Sequence, residues 1–259
     1  DTGNSSDLIT SDGTVTISGL ESDATWQYRL SGGIWVNASG SSITFKGDTT
    51  RSLEVRQLDV AGNASVPASL GFTVDTVALT PSLRLQDDSN QASDNITNSA
   101  KIIIDELESG ATWEYSLDGS DWTAGSGNSL TFEDEATYSL QVRQLDLAGN
   151  QSEIGSISFT LDSTAPEGPL LSLANDTNNS SDNITSSATI NISGLESGAT
   201  WEYSLNSGTF TKGSGSSVSV TQEGNYTLEV RQTDLAGNVS TRGSLGFTLD
   251  TTAPSAPVS

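Results

Sequence analysis

Val142-Arg143-Gln144-Leu145-Asp146-Leu147-Ala148-Gly149-Asn150 decides how this chain is read, because it occurs three times. The other copies are Val55-Arg56-Gln57-Leu58-Asp59-Val60-Ala61-Gly62-Asn63 and Val230-Arg231-Gln232-Thr233-Asp234-Leu235-Ala236-Gly237-Asn238. From Gln57 to Gln144 is 87 positions, and from Gln144 to Gln232 is 88. A period of that length marks tandem domains the size of a small β-sandwich. Each copy reads as a strand running into a tight turn. Residues alternate up to the Asp, and then come Gly and Asn, which tolerate positive φ. The Asp and Asn of one such turn can aim oxygens at a common point.

Working outward from the motif gives repeats over 1–77, 78–165 and 166–253, with 254–259 beginning a further one. Asp1 aligns with Asp88 and Asp176, so the first repeat lacks the segment matching Leu79 to Asp87. The links Asp162-Ser163-Thr164-Ala165-Pro166 and Asp250-Thr251-Thr252-Ala253-Pro254 are short and carry Pro. Such links are expected to be stiff and extended.

Alternation and turn signals in the second repeat predict an all-β unit of seven antiparallel strands. They run near Pro81–Gln86, over Lys101–Leu107, through Trp113, Tyr115 and Leu117, near Trp122, through Leu130 and Phe132, over Thr137–Leu145, and up to Leu161. Residues 87–99 read as a polar loop. Ile102, Ile104, Trp113, Tyr115, Leu117, Tyr138, Leu140 and Val142 are expected to face inward. Trp26 and Trp201 take the place of Trp113 in the other repeats. A Trp on the third strand, with apolar residues where an antibody domain has its cystine, is the Ig-like pattern without the bridge. Tyr138 and Tyr226 stand where a tyrosine corner would be, and Arg51 stands there in the first repeat. The fold class is therefore a linear array of Ig-like β-sandwiches.

Ten Lys and Arg against 33 Asp and Glu give a net charge of −23. Such a surface repels nucleic acid and anionic lipid and attracts cations. There is no Cys, Met or His, so thiolate and imidazole zinc sites are excluded. No apolar run is long enough to span a membrane. Five Trp, five Tyr and six Phe in a regular repeat oppose disorder. Identical short loops in three copies, with no cleft-forming insertion, argue against an enzyme.

Acidic residues recur at fixed places in the period. These are Asp7, Asp94 and Asp182; Glu21, Glu108 and Glu196; Asp59, Asp146 and Asp234; Asp75, Asp162 and Asp250; and Asp1, Asp88 and Asp176. Ig topology places the Glu and the Asp-x-Ala-Gly-Asn turn of one repeat against the first long loop and final Asp of the repeat before. The expected ligand sets are Asp7, Asp75, Glu108, Asp146 and Asn150 at one junction, and Asp94, Asp162, Glu196, Asp234 and Asn238 at the next. Several carboxylates at close quarters repel, and a hard dication resolves this. Calcium takes six to eight oxygens in loose geometry. The partners expected are calcium and neighbouring repeats of the same chain, in a monomer.

Ser-Asp-Asn-Ile-Thr, Gly-Ala-Thr-Trp-Glu-Tyr-Ser, Val-Arg-Gln-x-Asp-Leu-Ala-Gly-Asn and Leu-Asp-x-Thr-Ala-Pro together resemble the bacterial Ig-like repeats of giant repeats-in-toxin-type and biofilm-associated adhesins. The resemblance covers the whole chain. It implies an extracellular, cell-surface stalk secreted by a type I system, stiffened by calcium, that holds a distal binding domain away from the cell. The alternative is a module that itself binds a glycan or a protein. The first repeat departs from the pattern, with Glu21-Ser22-Asp23 in place of Glu-Ser-Gly.

Overall fold

The computed structural model describes residues 1–258. Its regular structure is all β, in three Ig-like sandwiches in tandem. The first holds β1 (Ile9–Thr10), β2 (Thr14–Thr16), β3 (Thr25–Leu30), β4 (Val36–Ala38), β5 (Ser42–Thr44), β6 (Thr49–Leu58) and β7 (Ala68–Val74). The second holds β8 (Ser82–Leu85), β9 (Ile96–Thr97), β10 (Lys101–Asp105), β11 (Thr112–Ser116), β12 (Thr123–Ala124), β13 (Ser129–Thr131), β14 (Ala136–Leu145) and β15 (Gly155–Leu161). The third holds β16 (Leu170–Leu173), β17 (Ile184–Thr185), β18 (Ala188–Ser193), β19 (Thr200–Leu205), β20 (Thr211–Lys212), β21 (Ser217–Val220), β22 (Gly224–Thr233) and β23 (Gly243–Leu249). Each sandwich has a five-stranded sheet, ordered β1-β7-β6-β3-β4, β12-β11-β14-β15-β9 and β17-β23-β22-β19-β20. The opposing sheets are β2-β5, β13-β10-β8 and β16-β18-β21.

Packing divides the chain into two compact units. One comprises residues 1–84, 102–130 and 139–157; the other comprises residues 85–101, 131–138 and 158–259. In the first unit Trp26, Leu53, Phe72, Val74, Trp113 and Val142 are buried. In the second unit Ile190, Ile192, Trp201, Leu228, Val230 and Phe247 form one core cluster. Alternate inward positions on pleated strands put these side chains on a common face. The rings of Trp26, Trp113 and Trp201 are buried, while their indole N–H groups donate to the carbonyls of Gly40, Gly127 and Gly215. Gly125 and Gly213 lie so close under Trp113 and Trp201 that a Cβ would stand 2.2 Å from the ring.

The tyrosine corners form, with Tyr138 and Tyr226 donating to the carbonyls of Asp134 and Gln222. In the first sandwich Arg51 replaces the tyrosine and donates to the carbonyls of Lys46, Gly47 and Thr49.

Three expectations are corrected. The strands are not all antiparallel: β1, β9 and β17 each pair in parallel with the last strand of their own sandwich. These two-residue strands lie in the segments read as polar loop. Leu117 is exposed, because β11 ends at Ser116, whose hydroxyl turns into the Asp118–Gly119 bend. The strand expected to reach Leu107 stops at Asp105, since Glu106 takes a φ of 62°. Of the expected further repeat, residues 254–258 carry no strand, and Ser259 lies outside the described residues.

Candidate metal centre at the repeat junctions

The recurrent turn is built by its own Asp. Asp146 Oδ1 accepts the Asn150 backbone N–H at 2.8 Å, and Asp146 N–H donates to the Asn150 carbonyl at 3.0 Å. Only the glycine of the turn takes positive φ, 85° at Gly149 and 92° at Gly237. Asp234 and Asn238 repeat these bonds. So do Asp59 and Asn63, where the Asn63 side-chain amide is the main cause holding the Asp59 carboxyl below the usual carboxylate range.

The Asn side chain then crosses the junction. Asn150 Nδ2 donates to Asp146 Oδ2 and to the Asp75 carbonyl, both at 2.8 Å. Asn238 Nδ2 likewise reaches Asp234 Oδ2 and the Asp162 carbonyl. From the other side the first long loop grips the same turn. Thr2 Oγ1 donates to the Ala148 carbonyl, and Ser89 Oγ to that of Ala236. Gly3 is needed there, since a Cβ would fall 2.1 Å from the Leu147 carbonyl.

At the first junction Asp75, Glu108 and Asp146 each offer a carboxylate oxygen, all within 4.8 Å of one another. Asp146 is buried and the other two are half-buried. Calcium–oxygen distances of about 2.3–2.6 Å allow ligands on opposite sides of one ion to be about that far apart. The group could therefore hold a single metal ion. Leu79 N–H donates to Glu108 Oε1 and holds that side chain toward the cluster. Among the described residues no cation forms an ion pair with these three carboxylates.

Asp7 lies outside this group. Its Oδ1 accepts the Ile9 N–H, while its Oδ2 is buried without a partner. The same orphaned state is found at Asp88 Oδ1 and Asp176 Oδ1. Asp94 and Asp182 accept the N–H two residues on, from Ile96 and Ile184. Asp162, Glu196 and Asp234 do not close into a comparable three-carboxylate group among the described residues. Glu21, Asp59 and Asp250 are likewise outside any such group.

Two sets of residues at these junctions escape a reading of the acidic residues alone. The first is the Gln of the repeated motif. Gln144 is 1% exposed, donates from Nε2 to the carbonyls of Leu79 and Glu106, and accepts the Glu108 N–H at Oε1. Gln232 does the same with Glu167, Gly194 and Glu196. This amide ties the linker to the loop that carries the junction Glu. Its signal was present: Gln144 shares the inward register of Leu140 and Val142, and it recurs. The second set is Asp48, Glu135 and Glu223, one period apart. Asp48 accepts the Thr76 N–H and hydroxyl. Glu135 accepts from Ser163 and Thr164, and Glu223 from Thr251 and Thr252. Hydroxyl donors, Thr164 foremost for Glu135 and Thr251 for Glu223, lower both carboxyls' pKa.

Residues 90–163 and 164–251 each match a family described as bacterial Ig-like domain. They are tandem bacterial Ig-like domains. No curated protein matches the chain. Similar solved structures include the FN1-FN3 domains of chicken CNTN1, at 11% identity and a TM-score of 0.36, covering 94% of this chain and 96% of that one. Another is the fibronectin(III)-like modules of Clostridium thermocellum CbhA, at 13% identity and a TM-score of 0.39, covering 64% and 93%. Only Ig-like domains are recognised in this bacterial Ig-like array, which accords with a structural module. Among the described residues no helix is long and apolar enough to cross a membrane.

Proposed function

We propose that this chain is a calcium-stiffened stalk segment of a large bacterial surface adhesin, with its repeats bounded at 77, 165 and 253. The observation that carries the reading is the Asp75–Glu108–Asp146 group. Its members come from both sides of one linker, so an ion held by all three ties two sandwiches together. Asp75, Glu108 and Asp146 are the proposed ligands at the first junction, with Asn150 positioning Asp146. Asp162, Glu196, Asp234 and Asn238 are their counterparts at the second. The orphaned oxygens of Asp7, Asp88 and Asp176 mark a further place where a cation would replace a missing hydrogen-bond donor. Asp94, Asp182, Glu21, Asp59 and Asp250 occupy the equivalent positions elsewhere in the period.

Calcium supplies charge neutralisation and oxygen coordination, and no reaction follows from it. Without metal the carboxylates repel and the linker is free to bend. With metal the relative orientation is fixed. A stalk role also accords with an extracellular setting, where calcium modules of about 10⁻⁴–10⁻³ M affinity are filled. A glycan-stacking platform is disfavoured, because the outer aromatics are covered: Arg56 lies over Trp35, Arg143 over Trp122 and Arg231 over Phe210. The test is small-angle scattering in millimolar calcium and in chelator. A narrowed distribution of dimensions in calcium is expected, and identical profiles would remove the calcium-strut reading.

A further inference from the structure

Each five-stranded sheet ends on a short strand with an unpaired outer edge, β4, β12 and β20 in turn. The edge is unpaired in the second and third sandwiches too, whose first strands β8 and β16 are present, so no strand of the repeat covers it. Two of the three edges are guarded and the first is not. Tyr28 pairs with Val36 as Tyr115 pairs with Thr123 and Tyr203 with Thr211. In that register Ile34, Val36 and Asn37 stand where the second sandwich has Asp121, Thr123 and Ala124, and the third has Thr209, Thr211 and Lys212. Charged and polar residues keep an edge strand from pairing with another chain. Ile34 is 85% exposed and Val36 is 41% exposed. β4 is also longer, since its ladder runs on to Ala38 opposite Trp26.

The backbone of β4 presents a self-matching edge. The Gly125 and Gly213 N–H groups donate to the carbonyls of Trp113 and Trp201. In β4 that inward direction falls to Ala38 and, two residues back, to Val36. The N–H and C=O of Trp35 and Asn37 therefore point away from β3. The Trp35 ring lies under Arg29 and Arg56, 4.6 and 4.2 Å from the guanidinium carbons. Arg29 is held by Glu54 and Arg56 by Gln27, so both cations are engaged within the sandwich.

Charge selects the partner. The chain carries −23, so copies of it repel wherever acidic residues face one another. Residues 24–47 contain no Asp or Glu. The matching stretch of the second sandwich holds Glu114, Asp118 and Asp121. β4 thus lies where two copies can approach without opposed carboxylates.

We propose that β4 is a homotypic docking edge, at which the first sandwiches of two chains pair β4 to β4, antiparallel about a two-fold axis at Val36. Trp35 of each copy exchanges both main-chain bonds with Asn37 of the other, and the two Val36 side chains meet as a close, non-hydrogen-bonded pair. The contact is isologous, so it closes at a dimer. It replaces the monomer expected from the sequence. Carboxylates elsewhere on the two chains oppose it, so salt strengthens it. It uses none of the junction carboxylates and needs no calcium.

The test is sedimentation of the full chain up to millimolar concentration, in chelator, at low salt and at about 0.15 M salt, where exposed charges more than about 8 Å apart are screened. A reversible dimer is expected, tighter at the higher salt. The double substitution Ile34→Asp, Val36→Thr gives β4 the residues of the second sandwich. It is expected to weaken the dimer at least about tenfold, with the Trp26 and β6 resonances showing that the sandwich is folded. The chain has no Cys, so a single Val36→Cys marks the axis. A close antiparallel pair has the Cα separation, about 4.5 Å, that a disulfide spans. On mild oxidation Val36→Cys is expected to cross-link two chains faster than Val66→Cys, although Val66 is 90% exposed. A chain that stays monomeric would overturn the proposal and leave the edge to a partner of other sequence. A dimer unmoved by the double substitution, or cross-linking at Val36 no faster than at Val66, would overturn it by placing the contact elsewhere.

Discussion

The two junctions use the same amides and end differently. At both, the turn Asn takes the carbonyl of the last-strand Asp, and the buried Gln takes a carbonyl further along the linker. At the first junction these two anchors are Asp75 and Leu79, four residues apart; at the second they are Asp162 and Glu167, five apart. The shorter linker brings Leu79 N–H onto Glu108, and the three carboxylates gather. The longer one runs through Pro166, and no such bond reaches Glu196 among the described residues. A single inserted residue between fixed anchors thus separates a closed acidic group from an open one. Motif identity positions the carboxylates, and linker length decides whether they converge.

The part common to both junctions is the buried amide. Replacing Gln144 or Gln232 with Ala removes the partner of two carbonyls and one N–H. At about 1–3 kcal/mol for each group left unmade, offset by relaxation, each substitution is expected to cost about 3 kcal/mol. Denaturant unfolding of both variants checks this. Equal losses support a shared scaffold, and a loss at only one would break the comparison.

The part that differs is the carboxylate group, the proposed metal site. In millimolar calcium the first junction is expected to gain about 2 kcal/mol by mass action, with less at the second. Asp146→Asn should remove most of the gain, and Asp234→Asn little of it. Calorimetric titration of the two variants distinguishes them. Equal loss would mean that calcium itself draws Glu196 inward and that the gap between the junctions closes on binding. Deleting Thr164 sharpens the same point, since it gives the second linker the length of the first. Calcium affinity at the second junction should then rise about tenfold, worth about 1.4 kcal/mol.

The sandwich was legible because strong signals repeat. A Trp at a fixed place, alternating apolar residues and the corner tyrosines all point one way. The parallel pairs β1, β9 and β17 were not legible, because two residues inside a polar loop give no period to detect. The junction carboxylates could be named from recurrence, but their convergence could not, since it turns on one residue of linker length. Gln144 was readable in principle from its inward register. Glu135 was hidden because its counterpart is Asp48, so the position does not recur by name.

That last position offers the smallest test of the difference between the linkers. Asp48 holds the first linker through one residue, Thr76, by its N–H and hydroxyl. Glu135 holds the longer second linker through the Ser163 N–H and hydroxyl and the Thr164 hydroxyl, all on Oε1. These donors favour the ionised form, so the folded pKa of Glu135 lies below its ordinary value of 4.5. A depressed carboxylate pKa contributes stability that is present above the unfolded value and lost as pH falls through the folded one. The clamp is therefore fully engaged at neutral pH and releases only below about pH 4.5. Because the carboxylate is solvent-exposed, its effect on global stability is small and the readout must be local. Acid titration of the Ser163 amide proton should show a transition below pH 4.5 that Glu135→Gln abolishes, while the Trp201 core resonances stay unmoved. A Ser163 amide insensitive to pH in the wild type would show that the linker is held by the Asn238 and Gln232 anchors alone. The extra residue would then be slack rather than clamped.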